Sequence, residues 1–203
     1  MDHMWSIFCW SGETGNSCSE VHAQVEEVKK SPMLQLCKVT EGLLISNARS
    51  ACSDELIQQE EVTLCINVSK QQPFPSTRVA TFRVPVFDDP HEDLSRYFDR
   101  CTDAIHSEKA RGGRTVVYCK NGRSRSATVC VAYLMKHQGL SLTEAFEMVK
   151  SARSVVEPNP GFWAQLELYE QELKIRRTQQ TNKCLQFFQF SIQRIFSQRR
   201  HTS

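Results

Sequence analysis

The spacing of hydrophobic residues changes period several times along the chain, and each change outlines an element. Leu34-Gln35-Leu36 and Leu43-Leu44-Ile45 flank Glu41-Gly42 and predict two strands paired across a turn. Ser53-Asp54 predicts the cap of a short helix reaching Gln59. The apolar, β-branched runs Val62 to Val68 and Val79 to Val86 read as strands. Asp93 or Ser95 then opens a helix to about Lys109, closed by Gly112-Gly113. Thr115 to Cys119 predicts another strand. Ser126 to His137 is apolar on nearly every side, so it predicts a helix inside the fold. Ser141-Leu142-Thr143-Glu144 opens a further helix with Leu142, Ala145, Phe146 and Val149 on one face. Beyond Pro158-Asn159-Pro160, a last helix carries Phe162, Leu166, Tyr169 and Leu173 at helical spacing. Strands that first alternate with helices and then give way to them predict an α/β fold, a central sheet covered on both faces.

The pattern is weakest at the ends. Residues 1–32 read as an irregular arm, with Ser, Gly and Thr around Gly12 to Ser19 and a short charged helix ending near Lys30. Residues 33–175 form the globular domain, and 176–203 a basic, aromatic-rich tail. Leu185, Phe188, Ile192 and Ile195-Phe196 recur there at near-helical spacing. That admits a membrane-surface helix, a frayed extension or a helix docked on the domain, and the two plainer readings are preferred.

Net charge is +2 over 203 residues, which selects neither a nucleic-acid nor an acidic partner for the whole chain. The distribution is uneven. No acid follows Glu172, whereas Lys174, Arg176, Arg177, Lys183, Arg194, Arg199 and Arg200 give +7, leaving −5 on the preceding chain. Nine cysteines without a CxxC pair or regular spacing argue against a disulfide framework or a zinc site. They fit a reducing compartment; the cytoplasm is expected, with the nucleus open.

Chemistry concentrates in Val116-Val117-Tyr118-Cys119-Lys120-Asn121-Gly122-Arg123-Ser124-Arg125-Ser126. A buried strand ends in a thiol, five residues follow, and Arg-Ser opens the apolar stretch Ala127 to Met135. Five residues suffice to curl the backbone round one tetrahedral anion, with Gly122 supplying the freedom a tight curl needs. The helix N-terminus and the free N–H groups favour negative charge, hence the thiolate of Cys119. Arg125 can meet two phosphate oxygens with its planar fork. Ser126 is placed to hydrogen-bond the sulfur and ease its departure from phosphorus. Attack on a phosphate ester also needs a proton donor for the leaving oxygen, and Asp88-Asp89, on a strand-to-helix loop, is the best source.

Cys-x5-Arg-Ser, the upstream Asp, Ala132-Tyr133-Leu134-Met135 and Pro-Asn-x-Gly-Phe at 158–162 resemble the dual-specificity branch of the cysteine phosphatases, most closely its small atypical members. The resemblance covers roughly 33–175. It implies the cysteine-phosphatase fold, with a mixed, mostly parallel sheet, and a reaction that uses no cofactor and no metal. It implies Cys119 as nucleophile, Arg125 as phosphate binder, Ser126 as leaving-group aid and residues 120–125 as the phosphate-binding loop. The spacing to Leu94-Ser95 and Tyr97-Phe98 favours Asp88 over Asp89 as general acid, and Asn159 is expected in the loop that braces the phosphate loop. Its substrate would be a phosphorylated protein.

One position departs from the family. Tyr118 stands where His precedes the cysteine, and a phenol carries no positive charge near neutral pH. Weak hydrolysis of phosphotyrosine, with phosphoserine and phosphothreonine open, is the first expectation. Two others stand beside it: a nearly inactive phosphate-binding module, motivated by Tyr118, and a phosphatase for a phosphoinositide or other polyanion, motivated by Lys120, Arg123 and the tail.

Overall fold

The computed structural model describes residues 35–199. Its sheet has five strands in the order β1 (Cys37–Thr40), β2 (Leu43–Asn47), β5 (Arg114–Cys119), β3 (Val62–Asn67) and β4 (Ala80–Arg83). β1 pairs antiparallel with β2, and every other pairing is parallel. The central strand β5 is buried from Thr115 to Cys119, which is why it reads as a continuous β-branched run rather than an alternating one.

Two helical layers cover the sheet. On one face lie α3 (Phe98–Ala110, preceded by a 3-10 turn at Ser95–Tyr97), α4 (Arg125–Gln138), α5 (Leu142–Ala152) and α6 (Pro160–Arg199). They pack Phe98, Ile105, Leu134, Val149, Phe162 and Leu166 against Ile45, Ile66, Val117 and Cys119. The other face carries the short α1 (Ala48–Ala51) and α2 (Asp54–Gln59), whose Ala51 and Ile57 join Leu44, Cys65, Val116 and Tyr118. Because side chains alternate along a strand, Tyr118 and Cys119 enter different layers. Helix α4 is buried from Arg125 to Met135, the innermost helix expected from its sequence.

Several boundaries differ from the sequence expectation. The first strand is Cys37–Thr40, not Leu34–Leu36, because its register against β2 pairs Cys37 with Ile45. The Val79–Val86 run contributes a ladder only over Ala80–Arg83. Helix α1 was not foreseen; Asn47 caps it by accepting the Ser50 N–H at 2.8 Å. Ser53 and Ser141 do cap α2 and α5, the latter with a full capping box through Glu144. Helix α6 runs through residue 175 without a break, so residues 176–199 prolong it. Arg176 pairs with Asp99 and Arg177 reaches the Met135 carbonyl, which fastens the start of that extension to the domain. The arm expected over residues 1–32 lies outside the described residues.

Candidate active site

The site forms where β5 ends and α4 begins. Gly122 has a φ of 64°, and a Cβ there would sit 2.5 Å from the Ser46 carbonyl oxygen, so glycine answers both a left-handed backbone and a close approach. Cys119 Sγ lies 3.3 Å from Ser126 Oγ in the first turn of α4. Arg125 is buried, and its Nη1 donates to the Val86 carbonyl at 3.3 Å. Its Nε has no hydrogen-bond partner among the described residues; Asp88 Oδ2 stands 3.8 Å away, beyond hydrogen-bond range. A buried guanidinium with an unspent donor is suited to an oxyanion.

Asp88 and Asp89 separate clearly. Asp88 Oδ1 accepts from Ser124 Oγ at 2.6 Å and from Asn159 Nδ2 at 3.0 Å, which places the carboxylate over the loop. Asp89 instead accepts the His91 N–H at 2.8 Å and shapes a turn. Asn159 does two jobs, since its Oδ1 also accepts the Phe162 N–H at 2.9 Å and caps α6, with Pro160 at the first helical position. Ser124 accepts the Asn159 N–H at 3.1 Å, so Ser124, Asp88 and Asn159 share one network.

The loop that carries Asp88 is pinned from both sides. Gly161 allows α6 to meet the Pro90 backbone so closely that a Cβ would fall 1.9 Å from its oxygen. Gln165 accepts the N–H groups of Leu94 and Ser95, both at 2.9 Å, and donates to the Glu92 carbonyl at 2.9 Å. Glu92 in turn accepts from Phe87 N–H and pairs with Lys70 at 2.9 Å. Neither Gly161 nor Gln165 stood out as a bracing residue in the sequence.

Tyr118 lies in the other core layer from Cys119. It is buried against α1 and α2, its hydroxyl donates to the Pro73 carbonyl at 2.7 Å, and burial pushes its phenol well above the ordinary range. Lys120 and Arg123 also part company. Lys120 lines the cleft with Ser69, Lys70, Gln71, Gln72, Phe87, Asp88 and Arg125, whereas Arg123 is ion-paired with Glu157 in solvent. The cleft holds about 150 Å³, below the range of about 300–1,000 Å³ common for drug-sized ligands. A phosphoryl group and the first atoms behind it would fill it.

A second basic residue went unnoticed in the sequence. Arg153, just after α5, is buried and donates from Nε to the Gly122 carbonyl at 2.9 Å and from Nη2 to the Asn121 carbonyl at 3.1 Å. Burial pushes the Cys65 and Cys101 thiols each up to about 12.

The family model for the dual specificity phosphatase catalytic domain matches residues 43–172. The chain belongs to the dual specificity phosphatase family. It is therefore a cysteine-dependent protein phosphatase by kinship as well as by layout. Human dual specificity phosphatase 28 is 53% identical over 152 residues, covering 74% of this chain and 83% of the relative. Mouse dual specificity phosphatase 14 is 41% identical over 139 residues, 68% of this chain and 70% of its own length. Among solved structures, a mouse putative dual specificity phosphatase complexed with zinc tungstate superposes with a TM-score of 0.71 at 53% identity, covering 73% of this chain and 94% of the other. The match to that solved structure agrees with a mixed five-stranded sheet flanked by helices.

Proposed function

We propose that this dual specificity phosphatase hydrolyses phosphotyrosine, together with phosphoserine and phosphothreonine, through a phosphocysteine intermediate on Cys119, and that Tyr118 keeps its turnover weak. The observation that carries the reading is that Cys119 and Ser126, 3.3 Å apart, share the junction of β5 and α4 with Arg125, beside which Asp88 is held from a different loop. In the first step Cys119 sulfur attacks phosphorus, the ester bond breaks, and Asp88 gives its proton to the departing oxygen. In the second, Asp88 takes a proton from water, whose oxygen displaces the sulfur and releases phosphate. Arg125 holds the equatorial oxygens throughout, and Ser126 donates to the leaving sulfur. The mouse relative's complex with tungstate, a tetrahedral oxyanion, supports an anion site in this family.

Cys119→Ser is expected to abolish turnover of an aryl phosphate; a rate equal to that of the unaltered chain would remove the phosphocysteine pathway. Tyr118→His is expected to raise kcat/KM several-fold, and an unchanged or lower value would show that Tyr118 is no brake. The binding-module reading draws on that same residue, because the Tyr118 hydroxyl is spent on Pro73 and supplies nothing to the sulfur. Of the two loop cations behind the polyanion reading, Lys120 lines the cleft, whereas Arg123 pairs with Glu157 in solvent.

A further inference from the structure

We infer that Arg153 is a positioning residue for the phosphate loop, its buried guanidinium drawing the Asn121 and Gly122 carbonyls outward and so aiming the amides behind them at the bound phosphoryl oxygens. The inference rests on the phosphatase reading above and adds a residue to it.

Four successive loop carbonyls have donors on their outer side. Lys120 accepts the Ala48 N–H at 3.3 Å, Asn121 and Gly122 accept from Arg153, and Arg123 accepts the Glu157 N–H at 2.8 Å. No peptide bond among the described residues is cis. In a trans, planar peptide the N–H points opposite to the C=O. Carbonyls held outward therefore turn the N–H groups of residues 121–124 toward the inside of the curl, where an anion would sit. Arg153 supplies the two middle links with one side chain, and Nη1 also reaches Cys37 Sγ at 3.6 Å. The planar fork of Arg holds two neighbouring carbonyls in a fixed geometry, which the rotatable donors of an ammonium do not impose. The residue also puts a cation behind the loop without touching the anion, so it favours the thiolate and the bound phosphate from outside the cleft.

The competing view is that Arg153 merely fills the end of α5. Both views predict a lower melting temperature when it is removed, so stability does not separate them. The separating readouts are inhibition by inorganic vanadate, and the rate at which iodoacetamide alkylates Cys119 at pH 6.5, measured on the full chain. Arg153→Met, which keeps the volume, is expected to weaken vanadate inhibition about tenfold and slow alkylation several-fold, with kcat/KM falling alongside. Arg153→Lys should recover part of each loss. A folded Arg153→Met whose vanadate inhibition and alkylation rate stay within twofold of the unaltered chain would overturn the inference. If Arg153→Met fails to fold, Arg153→Lys is judged by the same twofold limit. An unaltered chain that vanadate does not inhibit would overturn the phosphatase reading itself, and this inference with it.

Discussion

Two aspartates of this domain are held by opposite kinds of neighbour. Asp99, on α3, receives Lys136 Nζ at 2.8 Å, Tyr169 Oη at 2.8 Å and Arg176 Nη1 at 3.0 Å. Partial burial works to raise its pKa, yet the hydrogen bonds from Lys136, Tyr169 and Arg176 prevail and bring it to about 2. Asp88 is held instead by the uncharged donors Ser124 and Asn159, with the Arg125 guanidinium at a distance. A carboxylate ringed by cations is fixed in its ionised form and serves as a fastener between helices. The acid proposed at Asp88 is aimed by two neutral donors, which set its position without a cation in hydrogen-bond contact. The concavity beside Asp99, about 310 Å³ and lined by Ser95, Arg96, Gln165, Glu172 and Arg176, is larger than the cleft beside Lys120 and Arg125. Within it Arg176 pairs with both Asp99 and Glu172.

The strongest way to break this contrast is Asp88→Asn. On phenyl phosphate, whose leaving group needs a proton, kcat should fall about 100-fold or more, and by much less on p-nitrophenyl phosphate. Equal losses on both esters would deny Asp88 the acid's role. Gly161→Ala comes next. Its methyl group meets the Pro90 backbone, so either the acid's loop or the start of α6 must shift, a cost of about 1–3 kcal/mol readable by urea unfolding. Activity should drop with it, because Asp88 and Asn159 ride on the two displaced segments. An unaltered kcat in a destabilised variant would uncouple that contact from the acid's aim.

The smallest effect is expected from Asp99→Asn, with turnover near that of the unaltered chain and a melting temperature lower by about 2–4 °C at pH 7. The folded-state pKa of Asp99 lies below its unfolded value, so its stabilisation is present above about pH 4 and lost as pH falls through about 2. The gap between the two proteins should close over that window. A gap that persists at pH 2 would show that the ion pairs do not cause it.

What the sequence made legible follows the range of the interactions. Cys119, Arg125 and Ser126 could be read because a strand, a five-residue turn and a helix start fix their relation locally. The caps at Ser53 and Ser141 are equally local and were found where expected. The first strand was misplaced because Leu36 is buried in the α1–α2 layer without joining the ladder, so apolar character pointed three residues too early. Asp88 needed the family likeness to be set apart from Asp89. Arg153 and Gln165 were missed, and the contact of Gly161 with Pro90 was not foreseen, because each acts on a segment far along the chain, the Gly122 carbonyl in one case and the Leu94 and Glu92 backbone in another. A single arginine after a helix or a glutamine within one has no local signature of such work.

The hold of residues 153–159 on the loop also sets an order of events during synthesis. When Cys119 leaves the ribosome, the segment that clasps its loop from behind is still unmade or inside the exit tunnel. The nascent chain thus carries a thiol without a furnished cradle, and competence arrives only when the start of the final helix has emerged and docked.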